Sequence, residues 1–333
     1  MSVDKQIKKM KIMKIRGHMK KIAVICVCAV ILPFAAGCSK SKSAENTVSM
    51  SGAFALYPMA LKWGEEYKKV DSSVEFDITA GGAGKGMADA LSGMVDIGMV
   101  SREVSKEEVT KGAWFTSVVI DAVVPVFNVK NPLYDEIMKK GLTKKEFAKI
   151  WEKNPAKTWK AVMPSLGKDA ALNVYTRSDA CGAAQTWGSY FNKKQEDLGG
   201  IGVFGDPGLA EAVRKDASGI GYNNINFVYD KDTKKPAPGL CIIPIDINGN
   251  GKIDSSEKIY DDREMLTAAI ASGVFPSPPA RKLYLVVKGA PTKPAVKKFM
   301  KWVLTDGQKF VQESGYILLM PDEVRANILK VGE

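Results

Sequence analysis

Val74-Glu75-Phe76-Asp77-Ile78-Thr79-Ala80-Gly81-Gly82-Ala83-Gly84-Lys85-Gly86-Met87-Ala88-Asp89-Ala90-Leu91 changes its period half-way along. Val74, Phe76 and Ile78 alternate with Glu75, Asp77 and Thr79, the two-residue repeat of a half-buried strand. A glycine cluster follows, and from Lys85 to Leu91 the spacing suits a helix. A strand that enters a turn of small residues and leaves as a helix is half of a βαβ unit, and the same grammar recurs in both directions. Ser51-Gly52-Ala53-Phe54 stands upstream, and Cys181-Gly182-Ala183-Ala184 follows the strand-like Leu172 to Tyr175 downstream. Further strands are expected at Val95 to Val100, Ser117 to Phe127 and Lys282 to Val287. Helices are expected at Lys144 to Trp151, Ala183 to Phe191, Leu209 to Lys215 and Asp261 to Ser272, and from Pro294 through Trp302, with Pro in the first turn where its missing N–H costs nothing. This alternation predicts an α/β protein with largely parallel sheets. A length of 333 residues suits two domains, each able to bury a core of its own.

The formal charge of +11 is concentrated at one end. Lys5, Lys8, Lys9, Lys11, Lys14, Arg16, Lys20 and Lys21 precede an apolar run, Ile22 to Ala36, too short for a membrane-spanning helix, which reads as a secretory signal. The run ends Phe34-Ala35-Ala36-Gly37-Cys38, which resembles the lipobox of bacterial lipoproteins, where the cysteine is lipidated and becomes the first mature residue. Residues 1–37 are then a signal peptide and 38–46 a polar tether. Without the signal's eight basic residues and Asp4 the formal charge is +4, which withdraws compositional support for nucleic-acid binding. His18, the one histidine, lies in the signal, so the mature chain has no Ser-His-Asp triad, Cys-His dyad or His-ligated zinc. An enzyme is not expected. Cys181 and Cys241 permit one disulfide at most, and sequence leaves open whether they meet.

The three small-residue turns are candidate anion cradles, because helix N-termini expose unpaired N–H groups and small residues let a ligand approach the backbone. Beside the third stands Arg177-Ser178-Asp179, where a guanidinium can fork onto an oxyanion while the carboxylate two residues on holds it. Asp96, in Val95-Asp96-Ile97-Gly98, is a candidate acceptor for a proton on the oxyanion. The candidate ligand set is therefore Ser51, Gly52, Ala53, Phe54, Gly81, Gly82, Ala83, Gly84, Asp96, Arg177, Asp179, Cys181, Gly182 and Ala183, with Lys85 and Arg102 as extra cations.

Together with Tyr57-Pro58 and Ile220-Gly221-Tyr222, these segments resemble the phosphate-binding family of substrate-binding proteins of ABC transporters, from about Thr47 to the C-terminus. The resemblance implies a two-lobed, type II periplasmic-binding-protein fold with two hinge crossings. Lobe I would comprise residues 47–125 and 282–333, and lobe II residues 126–281. It implies a monomer, lipid-anchored on the extracytoplasmic side with no other membrane contact, that passes an inorganic oxyanion or small anionic ligand to an ABC permease. A surface sensor or adhesin without a permease is the alternative. Family members carry Ser and Thr hydroxyls in all three turns. Here Ala53-Phe54-Ala55, Gly81-Gly82-Ala83-Gly84 and Cys181-Gly182-Ala183 replace them, each absence forgoing roughly 1.5–3 kcal/mol of charge-assisted hydrogen bonding. The expected ligand is then an anion other than free phosphate, or a larger one using the vacated space.

Asp246-Ile247-Asn248-Gly249-Asn250-Gly251-Lys252-Ile253-Asp254-Ser255-Ser256-Glu257 fits the calcium-loop template throughout. Asp246, Asn248, Asn250, the Lys252 carbonyl, Asp254 and a bidentate Glu257 are the expected ligands, with Gly251 at the sharp turn. The preceding Ile242-Ile243-Pro244-Ile245 looks like a strand, so a structural calcium site grafted onto an α/β lobe is expected.

Overall fold

In the computed structural model, residues 44–332 are described. The signal and the lipidation point, Cys38, lie outside them. The strands are β1 (Thr47–Gly52), β2 (Glu75–Ala80), β3 (Ile97–Val100), β4 (Ala113–Asn128), β5 (Asn173–Arg177), β6 (Ile201–Val203), β7 (Gly219–Asn224), β8 (Leu240–Ile242) and β9 (Ala280–Lys288). They join in the order β2-β1-β3-β9-β4-β7-β5-β6, with β8 on β4.

The sheet is mixed, which corrects the expectation of largely parallel pairing. β1 runs parallel to β2 and β3, and β5 to β6 and β7. The centre is antiparallel, because β9 pairs with β3 and β4, and β4 also pairs with β7 and β8. The reason is connectivity: β4 carries the chain out of one lobe and β9 brings it back, so the two must run in opposite directions.

Two separate apolar cores define the lobes. One gathers Val48, Trp63, Met99, Val119, Leu283, Phe299 and their neighbours; the other gathers Ala122, Phe127, Trp151, Trp187, Tyr222, Ala280 and theirs. β4 changes core between Val119 and Ala122, and β9 between Ala280 and Leu283. At that crossing Asp121 is paired in register with Arg281, and Ile120 with Lys282. Both chain crossings are thus strands held by one antiparallel ladder.

In the second lobe the helix Gly182–Tyr190 is pinned by Trp187, whose ring meets Trp151 at 5.3 Å, Phe191 at 5.1 Å and Phe147 at 5.6 Å. Truncating so large a buried side chain costs about 3–5 kcal/mol. The helix start is therefore a fixed point, and it faces the other lobe.

Candidate functional site

β1 and β2 of one lobe and β5 of the other run in opposite senses along the mixed sheet, and turns leave their C-terminal ends, the usual place for a ligand in an open α/β sheet. The first two turns interlock: the N–H groups of Gly81 and Gly82 donate to the Gly52 carbonyl at 2.8 and 3.0 Å. Gly52, at φ +132°, has no room for a side chain, since a Cβ would lie 2.3 Å from the Met99 carbonyl. The third turn meets them from the other lobe. Gly84 N–H donates to the Ala180 carbonyl at 3.0 Å, and a Cβ on Gly82 would lie 3.0 Å from both that carbonyl and an Asp179 carboxylate oxygen. Gly182 is tighter still, with its absent Cβ 2.1 Å from the Ser101 carbonyl. All three turns therefore meet at one seam between the lobes.

Helix starts in this protein are capped unevenly, and Leu56, Leu133, Phe204 and Lys293 supply no side-chain cap. Elsewhere Ser105, Thr143 and Asp262 cap helix starts with side-chain oxygens. The helix Ala83–Ser92 begins at Gly82, which has no side chain to cap it, and the helix Gly182–Tyr190 is capped only by the Cys181 thiol, which accepts from Ala184 N–H at 3.4 Å. The N–H groups of Phe54, Ala83, Gly182 and Ala183 have no acceptor among the described residues. Four amide donors from both lobes are left for something else.

Arg177 stands among them, its side chain wholly buried at the end of β5. Nε and one terminal nitrogen fork onto Asp179 at 2.8 and 2.6 Å, and the other terminal nitrogen donates to Asp206 at 2.6 Å. Burial works against its charge, but Asp206 and Asp179 outweigh burial and hold the guanidinium above its usual pKa. The Phe54 ring lies 5.6 Å from the guanidinium carbon and meets Phe204 of the other lobe edge-on at 5.9 Å. Asp179 is anchored in turn by Gly205 N–H, and Gln195 holds the turn from behind through the Asp179 carbonyl and Cys181 N–H.

Several sequence candidates are placed elsewhere. Asp96 precedes β3 instead of ending it: its carboxylate accepts from the Ser49 N–H and hydroxyl, both at 2.9 Å, and pairs with Lys293. Gly52 is in register with Met99, so Asp96 lies about 10 Å back along the strand from the turns. The Ser51 hydroxyl points away too, donating to Asp89 at 2.6 Å. Ala53 N–H is used on the Met99 carbonyl at 2.9 Å. Lys85 folds back onto Asp89 along its own helix, and Arg102 forks onto Glu108, so neither is a spare cation. Both body cysteines are free and buried; burial pushes the Cys181 thiol up to about 12, so it is neutral.

Sequence reasoning missed Ser101, Asp206, Asn224 and Arg281. Ser101, the residue after β3, lies beside Gly182, and its hydroxyl makes no hydrogen bond among the described residues. The signal for it was positional, since it follows the buried β3 directly. Asp206 accepts from Asn224 N–H and Nδ2 at 3.2 and 2.7 Å, and Arg281 donates to the Gly182 carbonyl at 2.6 Å.

In the 246–257 loop the carboxylates serve the backbone. Asp246 accepts from Gly249, Asn250 and Gly251 N–H, and Glu257 from Ile247, Asn248 and Asp254 N–H. Asn248 and Asn250 donate to Asp254, which also pairs with Lys252. Among the described residues no three His, Cys, Asp or Glu side chains gather in metal-binding geometry.

Residues 39–307 match the PBP superfamily domain. The chain belongs to that family. It is 26% identical over 308 residues to protein SphX of Synechococcus elongatus, covering 87% of this chain and 85% of the relative. To the phosphate-binding protein PstS of Xylella fastidiosa (strain Temecula1) it is 23% identical over 362 residues, covering 92% and 96%. Its fold is shared with a substrate-binding protein of Clostridium perfringens solved with bound phosphate, at a TM-score of 0.67 and 21% identity over 83% of this chain and all of that one. An ABC-type phosphate transport receptor from Vibrio cholerae gives 0.59 and 18%, over 82% of this chain and all of that one. The superfamily chain therefore has the two-lobed type II fold.

Proposed function

We propose that this chain is a lipid-anchored, extracytoplasmic substrate-binding protein that closes its lobes on an oxyanion, phosphate or a related or larger anion, and delivers it to an ABC permease. The observation that carries this reading is the set of acceptor-less amides on Phe54, Ala83, Gly182 and Ala183, drawn from both lobes around buried Arg177. An oxyanion seated there satisfies donors that neither lobe satisfies alone, so it binds the closed state better than the open one and shifts the population toward it. Relatives named for phosphate binding support the ligand class. The signal and lipobox support the anchor, and no helix among the described residues is long and apolar enough to cross a membrane. Binding without turnover fits the site: its one thiol is neutral, and its two carboxylates are committed to Arg177.

The test is titration calorimetry of residues 39–333 against phosphate, sulfate, molybdate, tungstate and methylphosphonate. A saturable single site for at least one is expected. No heat with all five would overturn the reading.

We also propose that the 246–257 loop binds calcium as a structural cofactor. Asp246 and Glu257 are buried, and neither has a cationic side chain paired to it among the described residues, which favours a cation that cancels their charge. A melting temperature that falls on chelation and recovers with calcium is expected; an unchanged midpoint with no bound metal would refute the site.

A further inference from the structure

Arg177 is one end of a buried chain of polar groups that leads to the hinge. Its partner Asp206 accepts from Asn224, and the Asn224 side-chain oxygen Oδ1 accepts from Arg281. Arg281 lies at the chain crossing on β9, yet its guanidinium reaches the cradle: one terminal nitrogen donates to the Gly182 carbonyl at 2.6 Å and to the Thr186 hydroxyl at 2.8 Å. It thereby holds the first turn of the helix that offers the Gly182 and Ala183 amides. Its strand partner, Asp121, is 1% exposed and 3.6 Å from the guanidinium, and neither carboxylate oxygen has a hydrogen-bond partner. A buried carboxylate held by one 3.6 Å ion pair and no hydrogen bond is costly to keep ionised.

We propose that Asp121 and Arg281 couple the hinge to the anion cradle, Arg281 as the positioning residue for the Gly182–Ala183 amides and Asp121 as the group whose charge sets how firmly the cradle holds its anion. This rests on the oxyanion reading above. The groups facing Asp121 are Arg281 on β9, Asp206 at the start of the helix Gly205–Lys215, and Tyr316 on the segment before the C-terminal helix. Burial raises the Asp121 pKa to about 7. Protonated, it leaves the chain Asp179, Arg177, Asp206 and Arg281 balanced; ionised, it adds one negative charge behind the cradle. Anion affinity is therefore highest below pH 7 and falls as the pH rises through it.

The experiment is phosphate calorimetry at pH 6 and pH 8 on the wild type, Asp121→Asn and Thr186→Val. Phosphate's own titration is common to all three and cancels in the ratio of variant to wild type. The Asn variant should bind roughly three- to tenfold more tightly than wild type at pH 8 and equally at pH 6. Thr186→Val, which removes one acceptor from the Arg281 fork, should weaken binding at both pH values while leaving the wild-type pH ratio intact. A pH-independent ratio for Asp121→Asn, with phosphate bound by both proteins, would overturn the coupling and leave the oxyanion reading standing. Absence of phosphate heat in every protein would overturn the coupling along with phosphate as the ligand. Melting is a separate readout needing no ligand: because the folded-state pKa is raised, ionisation destabilises the wild type as pH rises from about 4 through 7, so Asp121→Asn should gain stability relative to it across that window. Parallel melting profiles would also overturn the proposal.

Discussion

Cys181→Ser tests the cradle by adding to it. The thiol caps the helix Gly182–Tyr190 with a long 3.4 Å contact to Ala184 N–H and, being neutral and buried, offers an anion only a weak S–H donor. Serine is nearly isosteric and a far better cap. Its oxygen accepts from Ala184 N–H, a gain of about 1 kcal/mol, against loss of a small buried apolar group worth about 1 kcal/mol. The unliganded protein should therefore melt within roughly 4 °C of wild type. The hydroxyl proton is then free to point into the seam beside the Gly182 and Ala183 amides. A charge-assisted hydrogen bond is worth roughly 1.5–3 kcal/mol, so affinity for phosphate should rise by about tenfold or more. Calorimetry of the two proteins side by side, with thermal melting as the control for folding, measures it. Unchanged or weaker binding at an unchanged melting temperature would mean that position 181 does not face the anion.

Gly182→Ala should hold the lobes apart, because its Cβ would lie 2.1 Å from the Ser101 carbonyl of the other lobe. Phosphate affinity should fall at least about tenfold with little change in unliganded melting, and solution scattering should report a larger radius of gyration in saturating phosphate. Arg177→Met leaves Asp179 and Asp206 buried and uncompensated, costing about 3–5 kcal/mol, or roughly 6–20 °C in melting temperature, with phosphate heat abolished; a shift under about 2 °C would refute the buried network. Glu257→Gln should abolish the calcium-dependent rise in melting temperature while leaving phosphate binding intact, measured by melting and calorimetry in parallel.

Local features were legible and distant pairings were not. The glycine turns after β1, β2 and β5 announce themselves through small residues at the point where a two-residue period ends. The Arg177–Asp179 fork is legible because both partners lie within one turn. Asp96 was misplaced because a short apolar run does not reveal its ends: the strand begins after Asp96, at Ile97, and its far end delivers Ser101 to the seam. Asp206, Asn224, Arg281 and Asp121 could not be gathered from sequence, since 29 residues separate Arg177 from Asp206 and 57 separate Asn224 from Arg281. Only tertiary packing makes them neighbours. The antiparallel centre of the sheet had the same cause, because the return of β9 to β4 is fixed by the two-lobed topology and leaves no local mark.

The central claim is that amides from three turns on two lobes hold one anion. Amide chemical shifts of isotope-labelled protein during a phosphate titration test it most directly. The account predicts that the N–H resonances of Phe54, Ala83, Gly182 and Ala183 move downfield together and saturate on one binding curve. Shifts confined to exposed lysines, or to a single turn while the others stay still, would contradict it.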